Sequence, residues 1–79
     1  MNLLTQIIRK GLRKLDFGGN LKKFRLQKGK STKELSEELG FGESLYNEWE
    51  AGTSEPNYPQ LAALAIYFNC SADSLLGLG

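Results

Sequence analysis

The chain has no histidine, one cysteine, two prolines and no lysine or arginine after Lys33. Without histidine, and with Cys70 alone, the usual acid–base catalyst, the common zinc-ligand sets and an intrachain disulfide are all excluded. Nothing near Cys70 can serve as its base, so it reads as a small packed residue. No nucleophile–base pair and no metal set can be assembled, which argues against an enzyme, a metal, a cofactor or a small-molecule substrate. Long apolar runs are missing too. The apolar residues after Met1 are interrupted every two or three positions and no small-residue cleavage site follows, so the stretch is neither signal peptide nor membrane span. A soluble protein of a reducing cytoplasm is expected. No segment alternates with period two, so no sheet is expected.

What is present is first of all a charge division. All ten Lys and Arg lie in residues 1–33 against the single acid Asp16, a balance of +9; residues 34–79 hold seven Glu and one Asp with no base, a balance of −8. A net charge of +1 conceals this. The division predicts one positive face, suited to phosphate or an acidic surface, and one negative face. The alternative is self-neutralisation, with the basic N-terminus folded onto the acidic half. With 79 residues the chain is one domain. A chain of this size buries only about 60–65 % of its unfolded surface, so most apolar positions are needed for the core.

Residues 2–15 set Leu3, Leu4, Ile7, Ile8, Leu12 and Leu15 on one helical arc and Arg9, Lys10 and Arg13 on the other, a basic amphipathic helix. Gly18-Gly19 suggests a hinge between this arm, residues 1–16, and a body over 17–79. Asp16 reads as the cap of the next helix, with Phe17, Leu21 and Phe24 inward and Gly29 at its stop. Ser31-Thr32-Lys33-Glu34 is a capping box that starts a helix showing Leu35 and Leu39 to the core, and Gly40 ends it. A short helix follows with Tyr46 and Trp49 inward, closed by Gly52. Asn57 with Pro59 starts another, whose Leu61, Leu64, Ala65 and Phe68 form a buried stripe. Ser71 caps a last turn through Leu76. Glu34, Glu37 and Glu38 read as a solvated helix face.

Between Thr32 and Ala51 the pattern is helix, three-residue turn, helix. Small Ser36 lets the second helix approach the first, Gly40 takes the turn, and Leu35, Leu39, Phe41, Tyr46 and Trp49 meet beneath the crossing. The outward side of the second helix is then free to enter a DNA major groove.

These residues resemble the helix-turn-helix family of the lambda repressor, Cro and the Xre-type bacterial regulators. The likeness runs through Leu21-x-x-Phe24-Arg25, Gly29, Thr32-x-x-Leu35-Ser36-x-x-x-Gly40-Phe41, Trp49-Glu50-x-Gly52-x-x-x-Pro56 and Leu61-x-x-Leu64-Ala65-x-x-Phe68-x-x-Ser71-x-Asp73-x-Leu75-Leu76-Gly77. It spans residues 17–77 without a gap. It implies an all-α bundle of about five helices, here with an extra N-terminal amphipathic helix, binding double-stranded operator DNA as a homodimer that regulates transcription. A prokaryotic or phage protein of the nucleoid-containing cytoplasm is implied as well.

Carried over by position, the resemblance makes Thr32, Glu43, Ser44, Asn47 and Glu48 base-facing and brings Gly42 and Ser31 to phosphates. It also pairs Arg25 with Glu50 in a partly buried ion pair. Lys28, Lys30 and Lys33 are expected to add phosphate contacts, and Arg9, Lys10, Arg13 and Lys14 to track the backbone beside the operator. Two departures stand out: glycine occupies the hydroxyl-cap position at Gly42, and Thr53-Ser54-Glu55 lacks bases. A carboxylate in the groove loses Coulomb energy to phosphates but can accept from the cytosine amino group. The rival reading keeps the fold and uses the acidic face, Glu43, Glu48 and Glu55, to bind a basic protein. A membrane-surface role for the N-terminal segment ranks behind both.

Overall fold

The computed structural model describes residues 16–78 and consists, over that range, of helices and the turns between them: α1 (Phe17–Gln27), α2 (Thr32–Leu39), α3 (Glu43–Ala51), α4 (Tyr58–Phe68) and α5 (Ala72–Leu76). No strand occurs among the described residues, as the missing period-two pattern requires. The expected N-terminal amphipathic helix, with Arg9, Lys10, Arg13 and Lys14, lies outside the described residues.

Local chemistry accounts for most boundaries. Asp16 Oδ1 accepts from the Gly19 amide at 2.9 Å and opens α1. At α2 the Ser31 hydroxyl accepts from the Glu34 amide at 3.0 Å while Glu34 Oε1 accepts from the Ser31 amide at 3.1 Å, so two otherwise free donors are satisfied. Asn57 and Gln60 make the same reciprocal pair at α4, at 2.9 and 2.8 Å. Asn69, at φ 53°, ends α4 in the left-handed region where Asn is among the few tolerated side chains. Gly40, at φ 77°, does the same for α2 and lets the Phe41 amide reach back to the Ser36 carbonyl at 2.9 Å. This fold-back sets the tight turn into α3.

Gly18-Gly19 is not a hinge. Both glycines lie within α1, and Gly18 is buried. A Cβ on Gly18 would stand 2.4 Å from the Glu50 carbonyl oxygen and 2.9 Å from that of Trp49. The glycine is there so that the first turn of α1 can rest on the backbone at the end of α3.

The core joins every helix: Leu21 of α1, Leu35 of α2, Tyr46 and Trp49 of α3, Leu64 and Phe68 of α4 and Leu75 of α5 are buried. Leu39 and Phe41, expected among them, are half-buried at its edge. Phe41 still meets the Trp49 ring edge-on, centroids 5.2 Å apart, a favoured aromatic geometry. The packing of α1 and α2 against α3 is the most extensive among the described helices. That arrangement presses the Tyr46–Trp49 side of α3 inward and leaves the opposite side to solvent.

Candidate nucleic-acid interface

Along α3, Glu43, Ser44, Asn47, Glu48 and Ala51 are exposed, while Tyr46 and Trp49 are fully buried. At about 100° per residue the exposed positions occupy an arc of about 140°. Thr32, opening α2, is half-buried beside this arc, and its hydroxyl donates to Glu43 Oε2 at 3.0 Å. The turn at Gly40 thus brings Thr32 and Glu43 together although eleven positions separate them. One carboxylate oxygen of Glu43 is engaged and the other can still accept.

The two helix starts beside this arc differ. At α2 the Ser31–Glu34 box already occupies donors of the first turn, and the Ser31 backbone, then its side chain, holds the Glu34 carboxyl below the usual range. At α3 the cap is Gly42, which makes no side-chain hydrogen bond, so the first-turn amides of α3 have no capping side chain and can donate to an anion.

The lysines are not equivalent either. Lys28 and Lys33 are exposed, but Lys30 is half-buried and paired through Nζ with Glu38 Oε1 at 2.9 Å. Glu38 also accepts from the Tyr67 hydroxyl, and Lys28 Nζ stands 4.5 Å from the centre of the Tyr67 ring. Tyr67 and then Lys30 hold the Glu38 carboxyl below its ordinary value, and Glu38 raises Lys30 in return. Glu34 and Glu38 are therefore not a merely solvated face: one completes a cap and the other ties α2 to α4 and to the loop after α1.

Beneath α3, Arg25 Nε donates to Glu50 Oε2 at 2.7 Å and Nη2 to Oε1 at 3.2 Å, a two-pronged pair; Nη1 donates to the Lys30 carbonyl at 2.8 Å. The side chains are only 11 % and 12 % exposed. The Glu50 hydrogen bond outweighs burial and raises the guanidinium pKa, keeping it charged. Next to the pair the Tyr46 hydroxyl is buried without a hydrogen bond of ordinary geometry, as is Trp49 Nε1. Burial first, and the neighbouring Glu50 second, push the Tyr46 pKa well up, so the phenol stays neutral.

Sequence reasoning passed over Asn20 and Tyr67 and read Gly18 as part of a hinge. Asn20 Nδ2 donates to the Leu75 carbonyl at 3.2 Å and joins α1 to α5. A polar residue on the side of α1 next to Leu21 and Phe24 was the available signal. For Gly18 and Tyr67 the partners are 32 and 29 positions away in the chain, and no local pattern announces them.

A family model described as "Helix-turn-helix" matches residues 21–75. An uncharacterized HTH-type transcriptional regulator of Bacillus subtilis (strain 168), YqaE, is 35% identical over 60 residues, which cover 76% of this chain and 52% of that protein. The chain thus spans about half the length of this relative. The solution structure of the SOS-response transcriptional repressor LexA from Eubacterium rectale superposes with a TM-score of 0.73 at 28% identity, covering 77% of this chain and 65% of the other.

Proposed function

Because this chain belongs to the helix-turn-helix family of Xre, Cro and lambda-repressor type, a DNA-binding and non-enzymatic family, we propose that it is a sequence-specific regulator of transcription that reads operator DNA through the exposed side of α3. The observation that carries this reading is the outward arc of Glu43, Ser44, Asn47 and Glu48 above the buried Tyr46 and Trp49. Thr32 and Glu43 read base edges together, and Ser44, Asn47 and Glu48 continue along the groove. Glu43 and Glu48 accept hydrogen bonds only, so they select base pairs that present an amino group, cytosine foremost.

Affinity comes from the flanks. The uncapped amides at Gly42, with Ser31 beside them, and the exposed ammonium groups of Lys28 and Lys33 meet phosphates. Lys30 contributes less, since binding a phosphate requires it to leave Glu38. Arg9, Lys10, Arg13 and Lys14 extend the phosphate contacts in the same reading. The regulator acts as a homodimer in the cytoplasm of a bacterium or in a phage-infected cell, its two α3 helices entering successive major grooves about 34 Å apart.

Titration of a labelled mixed-sequence duplex at about 50 and 200 mM salt tests the reading, since the logarithm of the affinity must fall linearly with the logarithm of salt. Lys33→Ala should weaken binding to every duplex alike, and by more than Lys30→Ala. Glu48→Gln should instead change the preferred sequence selected from a random pool. Silence at low salt would transfer the acidic arc of Glu43, Glu48 and Glu55 to the rival role, docking a basic protein.

A further inference from the structure

The solvent side of α4 is unlike every other exposed helix face described. Its outward positions are Tyr58, Pro59, Ala62, Ile66 and Asn69, all exposed and none charged. Tyr58 is 89% and Ile66 80% exposed, the most exposed large apolar side chains among the described residues. No charged residue occurs between Glu55 and Asp73. An open groove of about 440 Å³, lined by Ala65, Ile66, Asn69, Cys70 and Ser71, runs beside Ile66.

We propose that this face is where a second copy of the chain packs, α4 against α4, antiparallel about a two-fold axis close to Ala62. Charge selects the occupant and the face. A two-fold axis sets a patch on its own image, so a patch whose charges all share one sign meets that same sign. The outer side of α1 would set Lys22 and Lys23 against themselves, and that of α3 would do so with Glu43 and Glu48. The α4 face carries nothing to repel its twin.

Spacing then gives the register. Tyr58 and Ile66 lie four residues to either side of Ala62, so with Ala62 on the axis each Tyr58 faces the Ile66 of the other copy and reaches the groove beside it. The methyl group at Ala62 lets the two helices approach closely. A helix of eleven residues is about 16 Å long, and one such face falls short of the roughly 800 Å² per partner of a tight complex. Self-association is therefore weak and reversible.

This inference rests on the homodimeric part of the proposed function and not on DNA binding. Sedimentation equilibrium of the full chain up to about 0.5 mM should show a reversible dimer, which Ile66→Asp reduces at least tenfold in affinity. Ala62→Cys in a Cys70→Ser background should yield a disulfide-linked dimer with copper-phenanthroline and dioxygen as the oxidant: two thiols lose two protons and two electrons, and a sulfur–sulfur bond joins the copies. Lys22→Cys in the same background should not. Circular dichroism melts verify that each variant folds; Lys22, Ala62 and Ile66 are exposed and Cys70 is half-buried. A dimer that survives Ile66→Asp and does not cross-link at position 62 overturns the surface and directs attention to residues 1–15. A monomer at every concentration overturns the dimeric reading as well, and the duplex titration reports DNA binding separately from both.

Discussion

Two ion pairs in this small fold close at nearly the same distance in opposite settings. Arg25–Glu50 closes at 2.7 Å with side chains 11 % and 12 % exposed; Lys30–Glu38 closes at 2.9 Å with 32 % and 42 %. The first sits under α3, where it joins the end of α1 to the end of the helix that faces outward, and a third donor goes to the Lys30 carbonyl. The second lies on the surface, screened by water and coupled to Tyr67 and Lys28. Distance alone does not rank them. A buried charge that loses its partner stays unsolvated, whereas an exposed one is taken up by water.

The sharpest way to break this contrast is Glu50→Ala, which strands the Arg25 guanidinium. We expect it to cost about 3 kcal/mol in urea unfolding. Replacing both partners, Arg25→Met with Glu50→Leu, should recover most of that loss, because no uncompensated charge remains; a double variant as unstable as Glu50→Ala would refute the desolvation argument. Gly18→Ala probes the same region through its backbone. Its Cβ would fall 2.4 Å from the Glu50 carbonyl oxygen, and we expect a loss of about 1–3 kcal/mol from overpacking. Unchanged stability in that variant would show that α1 can slide off α3 without cost.

On the exposed side, Ser31→Ala removes one half of the α2 cap and should cost about 1 kcal/mol in the same assay. Glu38→Gln should have the smallest effect. Its carboxyl pKa is lowered in the fold, so what it contributes is present above an unfolded pKa of about 4.3 and is lost as pH falls through the folded value. Lys30 is raised, so its share is present below about 10.4 and lost as pH rises through its own folded value. Thermal melts of wild type and Glu38→Gln should therefore differ slightly and evenly between these limits and converge at acid pH. A gap that persists at acid pH would mean that the Tyr67 contact acts by packing and not by charge.

Much of the fold can be read from short spacings. Ser31 with Glu34, Asn57 with Pro59, and Gly40 placed the helix ends, because caps and turns involve residues no more than three apart, whereas the reciprocal pair of Asn57 with Gln60 emerged only in the structure. Burial of Leu35, Tyr46, Trp49, Leu64 and Phe68 follows from helical period. Leu39 and Phe41 show the limit: a period names the inward side but not how far the neighbouring helices extend to cover it. The candidate site was legible in the same partial way. That Ser44, Asn47 and Glu48 face outward follows from the inward Tyr46 and Trp49, but the roles toward DNA proposed for them rest on family resemblance. Lys30 was assigned to phosphate because nothing local shows that Glu38, eight residues on, occupies it.

The sequence by itself determined an all-α chain, the ends of its helices and a division of charge between its halves, all of which depend on residues near one another along the chain. Only the tertiary structure decided that Gly18, in a pair that reads as a joint, is a seat for α1 on α3, that Thr32 holds Glu43, and that one lysine of three is already in an ion pair. Those outcomes depend on contacts between residues eight to more than thirty positions apart, whose meeting is set by how helices cross and not by any pattern within a helix.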